Sequence, residues 1–306
     1  MIYVDLKGNL GNQMFNYALA RKIQKETGQQ IVLNSYNLEN KHKNYKMSLK
    51  IFKLNDNVSF SNKKLPSKCS CESLLFTLIF KTRIKFLIKF FQKIYYKFFS
   101  KKNIFVWADT VYVDIKINKK RLSKHPNIYI SGYWQSPLYC NPIRGELLND
   151  FQLVKELNPK YFDLFYKIKS TNSVCISVRR GDYISNPIVC QKHFVCNNEY
   201  FSNSVKLINK KIQNPTLVMF SDDTLWVKNH MKYNNEVLYE EYGTSLTDKI
   251  ILMSNCKNFI LSNSTFSWWV EFLCTNEDKV SIAPSRWYAD DTKADLYQDY
   301  WELVSV

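Results

Sequence analysis

The chain has 306 residues, 45% of them hydrophobic and 23% charged, with 20 Tyr, 20 Phe and 7 Trp. That much apolar and aromatic material excludes a disordered chain and suits one large domain or two ordinary ones. A net charge of +16 points to an anionic partner: a phosphorylated substrate, an anionic membrane or nucleic acid.

Residues 2–6 read as a short strand, so we expect no secretory leader and a reducing cytoplasm. None of the eight cysteines forms a C-x-x-C pair, which argues against zinc. The glycine loop Gly8-Asn9-Leu10-Gly11-Asn12-Gln13 follows the strand. Helical periodicity then runs to Gly28, with a second strand over 30–33. Periodicity is weak over 36–72. Residues 73–102 hold eight Lys/Arg and no Asp/Glu, half of the net charge. Lys81, Lys85, Lys89, Lys93 and Lys97 recur every fourth residue among Phe, Ile, Leu and Tyr. On a helix this row keeps broadly to one side. It fits an interfacial helix on an anionic membrane, or an amphipathic helix packed on the core, and is too charged to span a bilayer. A nucleic-acid binder would instead spread its lysines along a groove.

The strand near 128–132 ends in Tyr133-Trp134-Gln135. Sugar sites use such aromatic and amide groups, and buried strand ends share them. Asn158-Pro159 marks a break. We expect an N-terminal unit over 1–155, carrying the basic insertion at about 74–102. A second unit over 156–306 should follow, its last helix packing back on the first. From Ser173 onward strands and helices alternate: strands near 173–179, 216–220, 236–239, 259–261 and 279–283, with helices between. This is an α/β pattern with a parallel, doubly wound sheet.

Parallel strands align their carboxyl ends, so three tips should share one rim. Arg179-Arg180-Gly181-Asp182 supplies cations for a planar or tetrahedral anion, unless the arginines merely pair with nearby carboxylates. Ser262-Asn263-Ser264-Thr265 supplies hydroxyls and N–H groups at a helix start, an anion site or simply caps. Ser221-Asp222-Asp223 supplies carboxylates suited to base or ribose edges, or a helix N-cap. Together they suggest a nucleotide-diphosphate pocket. No P-loop, G-x-G-x-x-G, H-E-x-x-H or D-x-D occurs, so arginine rather than a metal should neutralise a departing diphosphate.

These motifs resemble the bacterial α-1,2-fucosyltransferases of glycosyltransferase family 11. The matching segments are Gly8 to Phe15, Ser177 to Tyr183, Phe220-Ser221-Asp222-Asp223 with Trp226, and Ser262 to Trp269. Asp248, Met253 to Lys257 and Ala283-Pro284-Ser285-Arg286-Trp287 also match. The resemblance implies a GT-B fold, two Rossmann-like domains facing a cleft. It implies GDP-β-L-fucose as donor, inversion, no metal or other cofactor, and an α-1,2 linkage to a terminal galactose. A lipid-linked oligosaccharide acceptor, in surface polysaccharide or O-antigen synthesis, would suit an enzyme peripheral on the inner face of the cytoplasmic membrane. On this basis Arg179, Arg180 and Asp182 are the catalytic candidates. Asp182 is either a base or an orienter of the arginines; beside two cations it should be a weak base. Gly11, Asn12, Gln13, Ser221, Asp222, Asp223, Asn263, Ser264 and Thr265 are donor-binding candidates. Tyr133, Trp134 and Gln135 are candidate acceptor contacts, and His193 a candidate base or orienter. Ser177 stands where many family members carry histidine, which moves the weight of catalysis onto the arginines. An inverting transferase with another nucleotide sugar is the alternative.

Overall fold

A computed structural model describes residues 1–41, 45–65, 103–108, 126–241, 243–290 and 292–306. The basic run at 74–102 lies outside the described residues. The chain divides into two compact units, Met1–Gln152 and Leu153–Val306.

In the first unit, β1 (Ile2–Asp5), β2 (Ile31–Asn34), β3 (Val58–Ser61), β4 (Asn103–Ala108) and β5 (Asn127–Gly132) pair in the order β3-β2-β1-β5-β4. All these pairings are parallel. The first helix, Leu10–Thr27, ends where Gly28 takes the left-handed conformation (φ 70°) and its N–H reaches the Gln24 carbonyl. A glycine supplies that cap without Cβ strain. The helix is tied down by charge as well as apolar contact. Tyr17 Oη and Arg21 Nε each donate 2.8 Å bonds to Asp150 Oδ2, a carboxylate that is almost fully buried. Such a buried charge is tolerated because it is both paired and hydrogen-bonded. Strand order reverses between β1 and β5, and loops that leave such a switch point form the ligand crevice of α/β sheets. The glycine loop and the Tyr133-Trp134-Gln135 turn both leave from there.

The second unit holds β6 (Asn172–Val178), β7 (Pro215–Ser221), β8 (Val237–Tyr239), β9 (Asn258–Ile260), β10 (Ser281–Pro284) and β11 (Glu302–Val304). Their order is β11-β10-β9-β6-β7-β8, again parallel throughout. Register pairs Val178 with Ser221 and Ile176 with Ile260, so the carboxyl ends of β7, β6 and β9 lie side by side. The switch point falls between β6 and β9. Val174, Ile176, Leu217, Met219, Ile260 and Ile282 bury their side chains between sheet and helices, which is why these strands read as unbroken apolar runs.

The Trp268-Trp269 pair of the helix Thr265–Leu273 is structural. Both rings are buried, and Trp268 Nε1 donates to the Leu296 carbonyl at 2.7 Å. Glu271, on the same helix, is fully buried against Lys279, Ser281 and Tyr300. Among the described residues the last helix is Thr265–Leu273. The last element is β11, a parallel edge strand on β10, so the chain's end completes its own sheet. Two short helices, Gly181–Ser185 and Pro187–His193, interrupt the stretch after β6. The second starts with Pro187 at its first turn and the Asn186 side chain capping Ile188 and Val189, a regular helix start too short to leave a periodic signal. No described helix is long and apolar enough to cross a membrane.

Gly8 has φ 62°, and a Cβ there would collide with the Asn12 side chain. Gly8→Ala is therefore expected to cost about 1–3 kcal/mol, seen as a lower midpoint in urea unfolding of the purified chain.

Candidate active site

β6 ends at Val178 and delivers Arg179 and Arg180 onto the rim. Their surroundings separate the two. Arg179 is held on both sides: Nη1 lies 2.6 Å from Asp222 Oδ2 and Nη2 lies 2.5 Å from Asp182 Oδ1. Burial pulls its pKa down, but the two carboxylates more than offset that and leave it raised. Arg180 is anchored by its main chain and the root of its guanidinium. Its N–H donates to Asp222 Oδ1 at 2.8 Å and its Nε to Asp223 Oδ2 at 3.2 Å. Its guanidinium carbon lies 3.4 Å from the centre of the Trp226 ring. No described residue takes a hydrogen bond from Nη1 or Nη2 of Arg180, so its outer fork is the one that remains to bind an anion.

Gly181 explains how the tip closes. A Cβ at this position would come 2.6 Å from Asp222 Oδ2, which bonds Arg179. Only glycine lets β7's aspartate come this close to the loop after β6.

Behind the tip lies a buried support. Ser221 N–H donates to Glu240 Oε1 at 2.6 Å, and Lys249 Nζ reaches the same oxygen at 3.0 Å. Glu240 is almost fully buried, its other carboxylate oxygen has no partner, and burial holds its pKa above the usual carboxylate range against the pull of Lys249. Ser221 Oγ in turn accepts from the Asp223 N–H at 3.0 Å, and Asp223 Oδ1 caps the helix Thr224–His230 by accepting from Trp226 N–H.

Across the switch point, β9 leads into Ser262, Asn263 and the helix Thr265–Leu273. Ser264 occupies the N-cap position with its side chain making no capping bond. The first turn, at Ser264 and Thr265, is half-exposed, so the helix presents N–H groups and the positive end of its dipole to the rim. Below it, Ser267 Oγ lies 2.6 Å from Ser177 Oγ and 3.2 Å from Ser262 Oγ. Ser177 is thus buried in a hydroxyl cluster.

In the structure several of the donor-binding candidates already bond protein groups. All four oxygens of Asp222 and Asp223 bond protein groups. Ser221 is buried, its hydroxyl taken by the Asp223 N–H. Asn263 is buried, and both its amide N–H groups are used, on the carbonyls of His193 and Trp287 at 2.8 Å each. In the first unit Gln13 is fully buried and bonds Gly8, Lys46 and Ser48. Gly11 is buried in the first turn of its helix. Asn12 remains half-buried, its Oδ1 held by Gln135 Nε2 at 2.7 Å. Of the three candidate acceptor contacts, Gln135 is buried on that bond and Trp134 is buried against Tyr139. Only Tyr133 exposes its ring, at 39%. Gln13 satisfies polar main chain, Gln135 holds the Asn12 side chain and Trp134 fills the strand end, an alternative the sequence left open.

His193 belongs to a ladder beside Arg179. Tyr183 lies under the Arg179 guanidinium and donates its hydroxyl to the Asn263 carbonyl at 3.1 Å. His193 stacks on Tyr183, and Tyr288 packs edge-on against His193. Burial, aided by Lys192, lowers the His193 pKa. Trp226, Tyr183, Glu240 and Lys249 are site residues that the sequence did not assign. Glu240 was within reach, because it immediately follows a parallel strand and so must lie on the rim. Trp226 is three residues past an N-cap aspartate, which puts it over the capping carboxylate.

With this geometry in view, comparison with known proteins decides the family. Residues 1–305 match glycosyl transferase family 11. The chain belongs to this family. The O-antigen biosynthesis glycosyltransferase WbnK of Escherichia coli is 28% identical over 98% of this chain and 99% of its own length. An Escherichia coli α-1,2-colitosyltransferase is 29% identical over 94% of this chain and 92% of its own. Among solved structures, the α-1,6-fucosyltransferase NodZ co-crystallised with GDP, a Bradyrhizobium protein, superposes with a TM-score of 0.53. It is 11% identical and covers 89% of this chain and 92% of that one. That likeness carries the fold: the family 11 chain is of GT-B type, with two Rossmann-like units.

One consequence concerns stability. The folded state keeps His193 neutral, and the unfolded chain protonates it near pH 6.5. Stability should therefore be full above that pH and fall as pH drops through it towards the lowered folded pKa. His193→Gln should flatten the decline in melting temperature between about pH 7 and pH 5, measured by scanning calorimetry across that range.

Proposed function

We propose that this family 11 transferase moves L-fucose from GDP-β-L-fucose to the 2-hydroxyl of a terminal β-galactoside, with inversion and without a metal. The observation that carries the proposal is the rim at the β6–β9 switch point. There Arg180, whose terminal nitrogens bond no described residue, follows β6, and the helix Thr265–Leu273, with no side-chain cap at its start, follows the neighbouring β9. A diphosphate needs such paired sources of positive potential.

The acceptor hydroxyl attacks the anomeric carbon as the bond to the β-phosphate oxygen breaks. The transition state carries positive charge on the sugar and growing negative charge on the leaving phosphate. Arg180 donates its terminal N–H groups to that phosphate, and the N–H groups in the first turn of the helix Thr265–Leu273 hold the diphosphate. This stabilisation strengthens as the bond breaks, so it lowers the barrier rather than merely tightening binding. Asp182, bonded to Arg179, acts as orienter rather than base. With the leaving group so stabilised, the acceptor needs little help in losing its proton, which passes to solvent as the new glycosidic bond forms. The absence of a D-x-D from the sequence supports a reaction in which arginine takes a metal's place.

The name of WbnK supports an O-antigen oligosaccharide as acceptor, and Tyr133 is the exposed ring available to a sugar. The lysine-aromatic run at 74–102 would suit a peripheral position on the inner face of the cytoplasmic membrane, where a lipid-linked acceptor is presented. The colitosyltransferase relative favours a second reading. Colitose is L-fucose lacking its 3-hydroxyl, so GDP-colitose would present the same diphosphate to the same rim.

A donor panel separates the two. GDP-fucose with β-galactosides should give an α-1,2-linked product, by mass and linkage analysis, undiminished by EDTA. Turnover of GDP-colitose alone would replace the donor assignment, and loss of turnover in EDTA, restored by Mn²⁺, would overturn the metal-free mechanism. Arg180→Ala should lower kcat by about 10²–10³-fold in steady-state assays with GDP-fucose. Retention of more than roughly a tenth of the rate would remove Arg180 from that role.

A further inference from the structure

We propose that Trp226 is a positioning residue that sets the plane of the Arg180 guanidinium and so aims its terminal nitrogens. The inference rests on the reading of Arg180 as the group that receives the leaving phosphate.

The guanidinium lies over the ring. A separation of 3.4 Å between the guanidinium carbon and the centre of the indole is van der Waals contact. Tryptophan offers the strongest cation–π face of the aromatic side chains, and arginine stacks on it through its own planar surface. One carboxylate holds both members of the stack. Asp223 Oδ1 accepts from the Trp226 main-chain N–H at 3.2 Å, and Asp223 Oδ2 accepts from Arg180 Nε at 3.2 Å. His230 also stacks on the indole, its ring 4.6 Å away and within 8° of parallel. His230 is fixed in its turn, with Nδ1 2.9 Å from the Trp226 carbonyl.

Trp226 is therefore packed against both Arg180 and His230. The consequence falls on Arg180. Its side chain is fixed at Nε by Asp223 and over its plane by the indole, and is 16% exposed. The edge that remains carries Nη1 and Nη2, the pair that grips a phosphate through two parallel bonds. A donor aimed in advance stabilises developing charge without reorganising at the moment of reaction. Without the indole, Arg180 would keep its charge and its Nε bond and lose its fixed plane.

The test is steady-state kinetics with GDP-fucose and a β-galactoside, on Trp226→Leu, Trp226→Phe, Arg180→Ala and the double variant Trp226→Leu/Arg180→Ala. Trp226→Leu should lower kcat by roughly tenfold or more while the donor KM changes little, and Trp226→Phe should restore most of the loss. In the Arg180→Ala background the leucine change should cost nothing further, because the residue it serves is gone. Equal losses in both backgrounds, or an unchanged kcat in Trp226→Leu, would overturn the positioning role. If Arg180→Ala itself stays active, the assignment of Arg180 fails, and Trp226 has no catalytic group to position. Should Trp226→Leu fold poorly, site-specific incorporation of mono-, di- and trifluorinated tryptophans at 226 keeps the shape and weakens the π face step by step. A stepwise fall in kcat supports the stack, and a flat series refutes it.

Discussion

The Asp222 carboxylate is the contact on which the rest of the rim depends. It sits at the end of β7 and binds the loop after β6 twice, through the Arg180 N–H and through the Arg179 guanidinium. Strand pairing alone brings Val178 and Ser221 level; it does not decide where the residues beyond them go. Asp222 does, by pulling the arginine loop sideways over β7. Gly181 is the condition for that pull, since any side chain there would meet the carboxylate. Once the loop is drawn in, Arg180 comes over Trp226 and Arg179 over Tyr183, and the two cations take different jobs.

The sheet of the second unit was legible in the sequence because its strands are buried on both faces and punctuated by turns. The rule that parallel strands share a carboxyl rim then placed Arg179, Asp222 and Ser264 together without coordinates. What it could not supply was direction. Asp222 and Asp223 read equally as ligand groups or as caps, and in the structure each already bonds protein groups. Asn263 and Gln13 show the same limit. A polar residue beside a glycine loop or a strand end serves the buried main chain as readily as a ligand, and only its bonds tell which. β11 and the short helices after β6 escaped notice because segments of three to seven residues carry too few repeats to establish a period.

Burial of polar groups runs outward from the support towards the rim. Glu240 and Lys249 lie beneath Ser221, Ser221 beneath Asp223, and Asp223 beneath Arg180 and Trp226. Each layer fixes the next through hydrogen bonds in a region of low dielectric, where such networks are stiff and costly to leave half made. The unpartnered oxygen of Glu240 and its raised pKa mark the cost of starting this chain from a buried carboxylate. A rim meant to hold charged donors within fractions of an ångström needs that kind of footing more than it needs exposed ligands of its own.

Charge balance explains why so basic a protein keeps its arginines paired. Two guanidiniums at the tip face three carboxylates, Asp182, Asp222 and Asp223. Unpaired, the arginines would repel one another across adjacent residues and bind any phosphate indiscriminately. With three carboxylates to two guanidiniums, the tip has no net attraction for an anion at long range and acts through the direction of its free donors. A diphosphate gains from such a site mainly when its oxygens reach Arg180's fork, and most when charge builds on the leaving phosphate. In the proposed reaction the same carboxylates would temper the hold on the product once the sugar has gone, so the fork would stabilise the transition state without trapping the nucleotide that leaves.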